Sequence, residues 1–458
     1  MARTIDVGAL IEKGGMSRFQ LALVTWLCVL MAVEGFDMQV MAFAAPAVLK
    51  EWGISRAAFG PVLSASLFGY MLGAFALASA ADRFGRKTVI LAGLAIFGGF
   101  TLITPLLADS MPTLMALRFL AGCGLGAAVP TGVSLNAEYV PTRVRATAIG
   151  MMYVTYNIGA AGGGFLAGWL IPQFGWHSIF YIGGVAPLVL GVLMFFGVSE
   201  SVRFLILRGG NEQRASRIIG KIFPDLIVAP EDQLVVGHEE KHVASPLKLF
   251  SDRRAAMTVV LWAAIITSFM GHHFLTNWLP TVLSDAGVSN AVIISALFPL
   301  GGALGSLAVG NALDRRGLKM VALAFLISTP FVFAMGQSSH LGGLTALIVF
   351  LAGFFVLGGQ LGLNASAATL YPTFLRATGA GWALGIGRVG SIMGPIVGGL
   401  LISSGISQTA LFLVAACPML ACAVCILLLQ KAKAVAAGEA PSSSDQAVLA
   451  SEALRPKA

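Results

Sequence analysis

Pro141-Thr142-Arg143-Val144-Arg145-Ala146-Thr147 is echoed by Pro372-Thr373-Phe374-Leu375-Arg376-Ala377-Thr378. Asp82-Arg83-Phe84-Gly85-Arg86-Lys87 returns as Asp314-Arg315-Arg316-Gly317-Leu318-Lys319, at the same interval within one residue. Gly159-x-x-x-Gly163 returns as Gly390-x-x-x-Gly394 at the first interval again. Three matches at one spacing mark an internal duplication. The chain is two related halves, and its fold follows from what one half is.

Between these polar stretches the chain is apolar. Of its 458 residues, 57% are hydrophobic and 11% charged, against about 25% charged in an ordinary soluble domain. No soluble core hides that much apolar surface, so lipid must cover it. A helix needs about 20 apolar residues to cross a bilayer. Twelve such runs occur, at about 19–42, 59–80, 88–107, 112–136, 146–170, 178–198, 257–283, 289–312, 320–336, 341–366, 376–402 and 408–430. The first is too long for a cleaved signal peptide. The expected fold is an all-α membrane protein with twelve transmembrane helices in two pseudo-symmetric six-helix bundles. Its parts are a cytoplasmic N-terminus (1–18), a first bundle (19–198), a central cytoplasmic loop (199–256), a second bundle (257–430) and a disordered cytoplasmic tail (431–458).

The net charge of +8 resembles a nucleic-acid signal until its placement is read. With the N-terminus in the cytoplasm, the outer loops hold only Lys50 and Arg56. Arg118 and Arg388 lie inside spans. Every other one of the 29 lysines and arginines falls on the inner side, as the positive-inside rule requires. Nucleic acid is therefore not expected as a partner, and the lipid bilayer is. Cys28, Cys123, Cys417, Cys422 and Cys425 all lie in apolar runs and read as packing residues, not as redox or metal sites. The chain lacks H-E-x-x-H, G-x-S-x-G and G-x-x-x-x-G-K-[ST]. These absences argue against an enzyme and against ATP-driven pumping. No metal or other cofactor is expected.

Charges inside spans are costly and point to function. Four stand clear of helix ends: Glu34, Asp37, Arg118 and Arg388. Glu34 and Asp37 are three apart and share a helix face. At 1.5 Å per residue, Asp37 lies roughly 8 Å and Arg118 roughly 9 Å below the outer end of its span, so either carboxylate can reach Arg118. A buried carboxylate is suited to taking up and releasing a proton, and a guanidinium is suited to holding a carboxylate. Asn157 and Tyr153 in the fifth span, with Tyr156, are candidate cavity residues. So are His273 and Asn277 in the seventh, beside His272, and Trp382 in the eleventh. On the inner side Asp82, Arg83, Gly85 and Arg86 form one turn, with Asp314, Arg315 and Gly317 as its copy. Gly85 allows the tight turn. Glu138 is placed to pair with Arg143 or Arg145, and Arg376 stands at the equivalent place in the second half.

Ala78-x-x-x-Asp82-Arg83-x-Gly85-Arg86-Lys87 resembles the loop motif of the major facilitator superfamily, with Ala where the family has Gly. Gly310-x-x-x-Asp314-Arg315-x-Gly317-x-Lys319 resembles its second copy. Within that superfamily the chain resembles the aromatic acid:proton symporters over nearly its whole length. Glu34-Gly35-Phe36-Asp37, Arg118-Phe119-Leu120-x-Gly122-x-Gly124-x-Gly126, Asn277-Trp278-Leu279-Pro280 and the stretch Leu370 to Trp382 carry that likeness. Glu34 stands where the family usually has Asp. The resemblance implies import of a small aromatic carboxylate, hydroxybenzoate-like, by proton symport and alternating access. It implies a bacterial-type inner membrane and a monomer. Asp37 and Glu34 would carry protons, Arg118 or Arg388 would hold the substrate carboxylate, and the turns at Asp82 and Asp314 would gate. Two alternatives remain open at this point: a proton-coupled exporter of amphipathic compounds, and a membrane sensor of aromatic acids that moves nothing.

Overall fold

The computed structural model describes residues 3–76, 80–226, 229, 232–236, 245–251, 254–338 and 341–436, without the side chains of 314, 368, 373, 374, 377 and 434–436. The tail beyond 436 and the side chain of Asp314 thus lie outside the described residues.

A short strand β1 (Thr4–Asp6) and helix α1 (Val7–Lys13) precede the first bundle. That bundle holds α2 (Arg18–Trp52), α3 (Arg56–Ala76), the single turn α4 (Ala81–Phe84), α5 (Arg86–Leu107), α6 (Met111–Tyr139), α7 (Thr142–Phe174) and α8 (His177–Gly197). The central stretch folds as α9 (Val202–Arg208), α10 (Glu212–Ile222) and β2 (Gln233–Val235). The second bundle holds α11 (Ala255–Asp285), α12 (Ala291–Arg316), α13 (Leu318–Met335), α14 (Gly343–Thr369), α15 (Thr373–Ser403) and α16 (Gln408–Ala436). Twelve of these described helices are long, six per half. Eleven are both long and apolar enough to cross a membrane. The other, α7, has 33 residues, but glycines and the polar run Tyr153, Thr155, Tyr156 and Asn157 dilute it.

The duplicated motifs do the same structural work twice. Gly85 (φ 97°) and Gly317 (φ 69°) each take the left-handed backbone that turns one long helix into the next, where a side chain would be strained. Gly159 packs against the backbone of Ala32, and Gly390 against that of Ile266. Each G-x-x-x-G therefore lays the fifth long helix of its half directly on the first, α7 on α2 and α15 on α11, the close approach that small residues allow.

The face carrying Gly85 and Gly317 is rich in arginine, and we call it the basic face. The halves meet on the far face, through α3 with α15, α7 with α12 and α2 with α11. One buried cluster joins Val40–Leu49, Phe59–Leu63 and Ala167–Phe180 of the first half to the core of the second. A separate cluster, confined to the first half and the central stretch, fills the basic side. Arg56 also bridges the halves on the far face, bonding both oxygens of Asp285 at 3.1 and 2.7 Å. Ser64 adds a hydroxyl bond to Ile392 O at 2.8 Å.

The stretch expected as a plain loop at 199–256 holds structure. Ala215, Ile218, Ile219 and Ile222 form a helical stripe on α10, buried with Val7 and Ile11 of α1. β1 pairs in parallel with β2, Ile5 opposite Leu234. β1 and α1 are thereby strapped across the basic face of the first half.

Candidate functional site

Between the two cores lies a cavity of about 150 Å³, below the roughly 300–1,000 Å³ of drug-sized sites. Eight helices line it, four from each half. Met31, Glu34 and Met38 come from α2, Tyr70 from α3, Val129 from α6, and Tyr153, Tyr156 and Asn157 from α7. Phe269, His272 and His273 come from α11, Ser306 from α12, Leu357, Gln360, Leu361 and Asn364 from α14, and Leu384 and Arg388 from α15. On α2, α7, α11, α14 and α15 the lining residues recur every three or four positions, so each of these helices turns one stripe inward.

Arg388 is the cation of this cavity. Its guanidinium lies 4.3 Å from the Tyr70 ring centroid, a cation–π contact. Among the described residues no carboxylate forms an ion pair with it. Glu34, Tyr153, Tyr156 and His273 are close enough to interact with it electrostatically. Glu34 is 4% exposed, and among the described residues its Oε2 has no hydrogen-bond partner.

Asp37 and Arg118 are built differently. The pair is fully enclosed, with Arg118 Nη1 donating to Asp37 Oδ1 at 3.3 Å. Thr101 Oγ1 donates to the same oxygen at 3.0 Å. Arg118 Nη2 donates to Thr101 at 2.9 Å and to Thr104 at 3.2 Å, and Phe180 lies under the guanidinium at 5.0 Å. Arg118 does not reach the cavity wall. Asp37 faces a smaller pocket, shared with Asn157, His273, Thr276 and Asn277. Asn157 and His273 border both spaces. Asn277 spends its amide on the His273 carbonyl at 2.8 Å. Trp382 is outside: it is 46% exposed and stacks on Trp262 at 6.2 Å.

On the basic face Arg86 organises the first turn. It bonds Asp82 at 2.8 Å, Glu138 at 3.0 Å and Ala81 O at 3.1 Å. Glu200 accepts from the amides of Arg86, Lys87 and Ser201 at 2.8, 3.1 and 2.8 Å, and Glu138 also accepts from the Ser201 hydroxyl. The pairing of Glu138 with Arg143 or Arg145 is corrected here. Arg143 donates to Gly14 O at 2.8 Å and Arg145 to Glu12 at 3.3 Å, because the N-terminal strap brings them acceptors first. Glu12 also accepts from the Thr142 hydroxyl at 2.5 Å and amide at 3.0 Å. Those two bonds, before the nearby arginines, hold its carboxyl below the ordinary glutamate value of 4.5. Arg83 faces the Phe84 ring at 5.4 Å. Arg315 and Arg376 are exposed.

Sequence reasoning missed Tyr70, Ser306, Gln360 and Asn364. The last two carried a signal, polar residues four apart in an apolar span. It also passed over Arg56, which stands on the side the charge rule depletes.

The Major Facilitator Superfamily model matches residues 27–394 and 293–457. A 4-hydroxybenzoate transporter of Pseudomonas aeruginosa is 40% identical over 413 residues, covering 88% of this chain and 90% of its own length. A gallate transporter of Pseudomonas putida is 37% identical over 428 residues, covering 92% and 94%. The inward-open structure of the xylose transporter XylE from E. coli superposes with a TM-score of 0.69 at 16% identity, over 90% of this chain and 95% of that one; this last likeness is one of fold. With twelve long helices in two duplicated halves around a shared cavity, the chain belongs to the major facilitator superfamily of membrane transporters.

Proposed function

We propose that this protein imports a small aromatic carboxylate of the hydroxybenzoate type by proton symport. In this reading it works as a monomer in a bacterial-type inner membrane, with the basic face and both termini in the cytoplasm. The observation that carries the reading is Arg388, a cavity cation without an ion-pair partner among the described residues, beside the buried carboxyl of Glu34. The names of the relatives support the substrate class.

Arg388 offers its planar fork to the substrate carboxylate. Ionised Glu34 competes for the same cation, and protonated Glu34 does not. Substrate therefore binds best together with a proton, which is what coupling requires. The proton also cancels the monoanion's charge, whose entry against an inside-negative potential costs about 2.3 kcal/mol per 100 mV. Asp37, one turn nearer the far face, relays protons from outside toward Glu34 through the pocket it shares with Asn157 and His273. Arg118 holds Asp37 in place. Tyr70, Tyr153, Tyr156 and Phe269 give the ring its aromatic walls. Release of the Arg56–Asp285 tie opens the far face, and the turns at Asp82 and Asp314 approach as the basic face closes.

The test is uptake of labelled 4-hydroxybenzoate by cells expressing the chain, with and without a protonophore, beside Arg388→Ala. Uptake that collapses with the protonophore and with Arg388→Ala supports the reading. Uptake indifferent to both sinks it.

A further inference from the structure

The carboxylate reading uses Arg388 and Glu34 and leaves another part of the cavity wall unexplained. Gln360 and Asn364 lie one turn apart on α14, on the stripe that Leu357 and Leu361 also carry into the cavity. His272 of α11 borders the same space, its ring stacked on His273 at 4.6 Å. Gln360 is 9% exposed. Gln360 Oε1, Asn364 Oδ1 and His272 Nδ1 are all buried, and none has a hydrogen-bond partner among the described residues. Gln360 adjoins the His272 side chain, but its Oε1 falls short of hydrogen-bond geometry. The Ser306 hydroxyl on the same cavity meets none of the three.

Buried polar atoms are nearly always paired, and a cluster left open calls for an explanation. The two amide carbonyls seek a donor, and the imidazole nitrogen donates or accepts according to its tautomer. A ring hydroxyl both donates and accepts, which suits such a mixed set, whereas an unsubstituted ring does neither. The geometry points to a hydroxyl-reading subsite: the phenolic hydroxyl of a ring whose carboxylate lies on Arg388 donates its one hydrogen to the Gln360 or Asn364 side-chain carbonyl and accepts from the His272 imidazole N–H. This rests on the transport reading above and assigns the residues that read the ring hydroxyl of its substrate, so that unsubstituted benzoate is disfavoured. A site built to bond a substrate hydroxyl rejects the analogue lacking it, because its own polar groups are then left unpaired.

The experiment measures KM for uptake of benzoate and of 4-hydroxybenzoate in proteoliposomes. It compares the wild-type chain, Gln360→Leu, Asn364→Leu and the gentler Gln360→Met. The wild type should favour the hydroxylated acid by about tenfold or more, the scale of one buried hydrogen bond. In the α14 variants the ratio of the two KM values should fall toward one. Because the readout is a ratio within one preparation, it survives lower yield of folded protein. Equal KM values in the wild type, or an unchanged ratio in all three variants, would overturn the subsite and leave the transport reading standing. Transport of neither acid by the wild type would overturn the transport reading, and the subsite with it.

Discussion

Arg118 and Arg388 are the same residue type in equivalent apolar surroundings, yet their partners give them opposite characters. Arg118 is held by Asp37, Thr101 and Thr104, and Arg388 by an aromatic face alone among the contacts described. Removing one member of a buried ion pair leaves an uncompensated charge, at a cost of about 3–5 kcal/mol. Arg118→Met should therefore lower thermal stability sharply in detergent, and adding Asp37→Asn to it should recover much of the loss. If the double variant is no more stable than Arg118→Met, the two side chains are not a coupled pair. Arg388→Met should be far milder in the same assay and should act on substrate binding instead. That contrast was not legible in the sequence. Charge within a span marked all four candidates, but the threonines that accept from Arg118 Nη2 come from another helix, and sequence spacing does not reveal them. Gln360 and Asn364 were hidden for a related reason: an uncharged polar residue in a span is usually satisfied by its own helix, as Asn277 is.

At the scale of elements, the repeats were the most readable feature. Gly159 and Gly390 lie against the backbone of a neighbouring helix, so a larger side chain must push the helices apart. Gly159→Leu should cost several kcal/mol, as overpacking does when nothing can yield, and appear as loss of monodisperse protein in size-exclusion chromatography. A monodisperse variant with wild-type melting temperature would show that α2 and α7 do not need this contact. The strap across the basic face was not foreseen, because the short amphipathic stripe of α10 is weak beside the transmembrane runs. Its hold on α7 depends on ionised Glu12. The folded-state pKa of Glu12 is depressed by Thr142, so the stabilisation is full above the unfolded value of 4.5 and is lost as pH falls through the lower folded value. Hydrogen exchange at the Thr142 amide should therefore stay slow from neutral pH to about 5, with the intrinsic pH dependence removed, and quicken below that. Glu12→Gln should remove this pH step. A step that persists in Glu12→Gln would place its cause elsewhere.

For the whole molecule, the duplication and the spacing of apolar runs were enough to predict two six-helix bundles, and the family match agrees. Which face is closed was not predictable, since it is a property of how the halves meet. Here they meet on the far face, through the shared core and the Arg56–Asp285 bridge. Exposed ion pairs are worth about 0–1 kcal/mol, so Arg56→Ala should barely change stability. Where opening of the far face breaks this pair, Arg56→Ala should nevertheless shift the balance toward the open far face by a factor of up to about five. Labelling of a cysteine placed near Gly60, between α3 and α15, would report that shift. Labelling equal to the background protein would mean the bridge does not bias the conformation.

The central proposal is that a proton enters with the aromatic acid by way of Glu34, whose ionised form competes with the substrate for Arg388. The most direct measurement is external pH, followed with a dye, when 4-hydroxybenzoate is added outside lightly buffered proteoliposomes at zero imposed potential. The account predicts alkalinisation with the wild-type chain and none with Glu34→Gln, while Glu34→Gln still exchanges labelled for unlabelled substrate. Substrate entry without any pH change in the wild type, or alkalinisation that persists in Glu34→Gln, would contradict it.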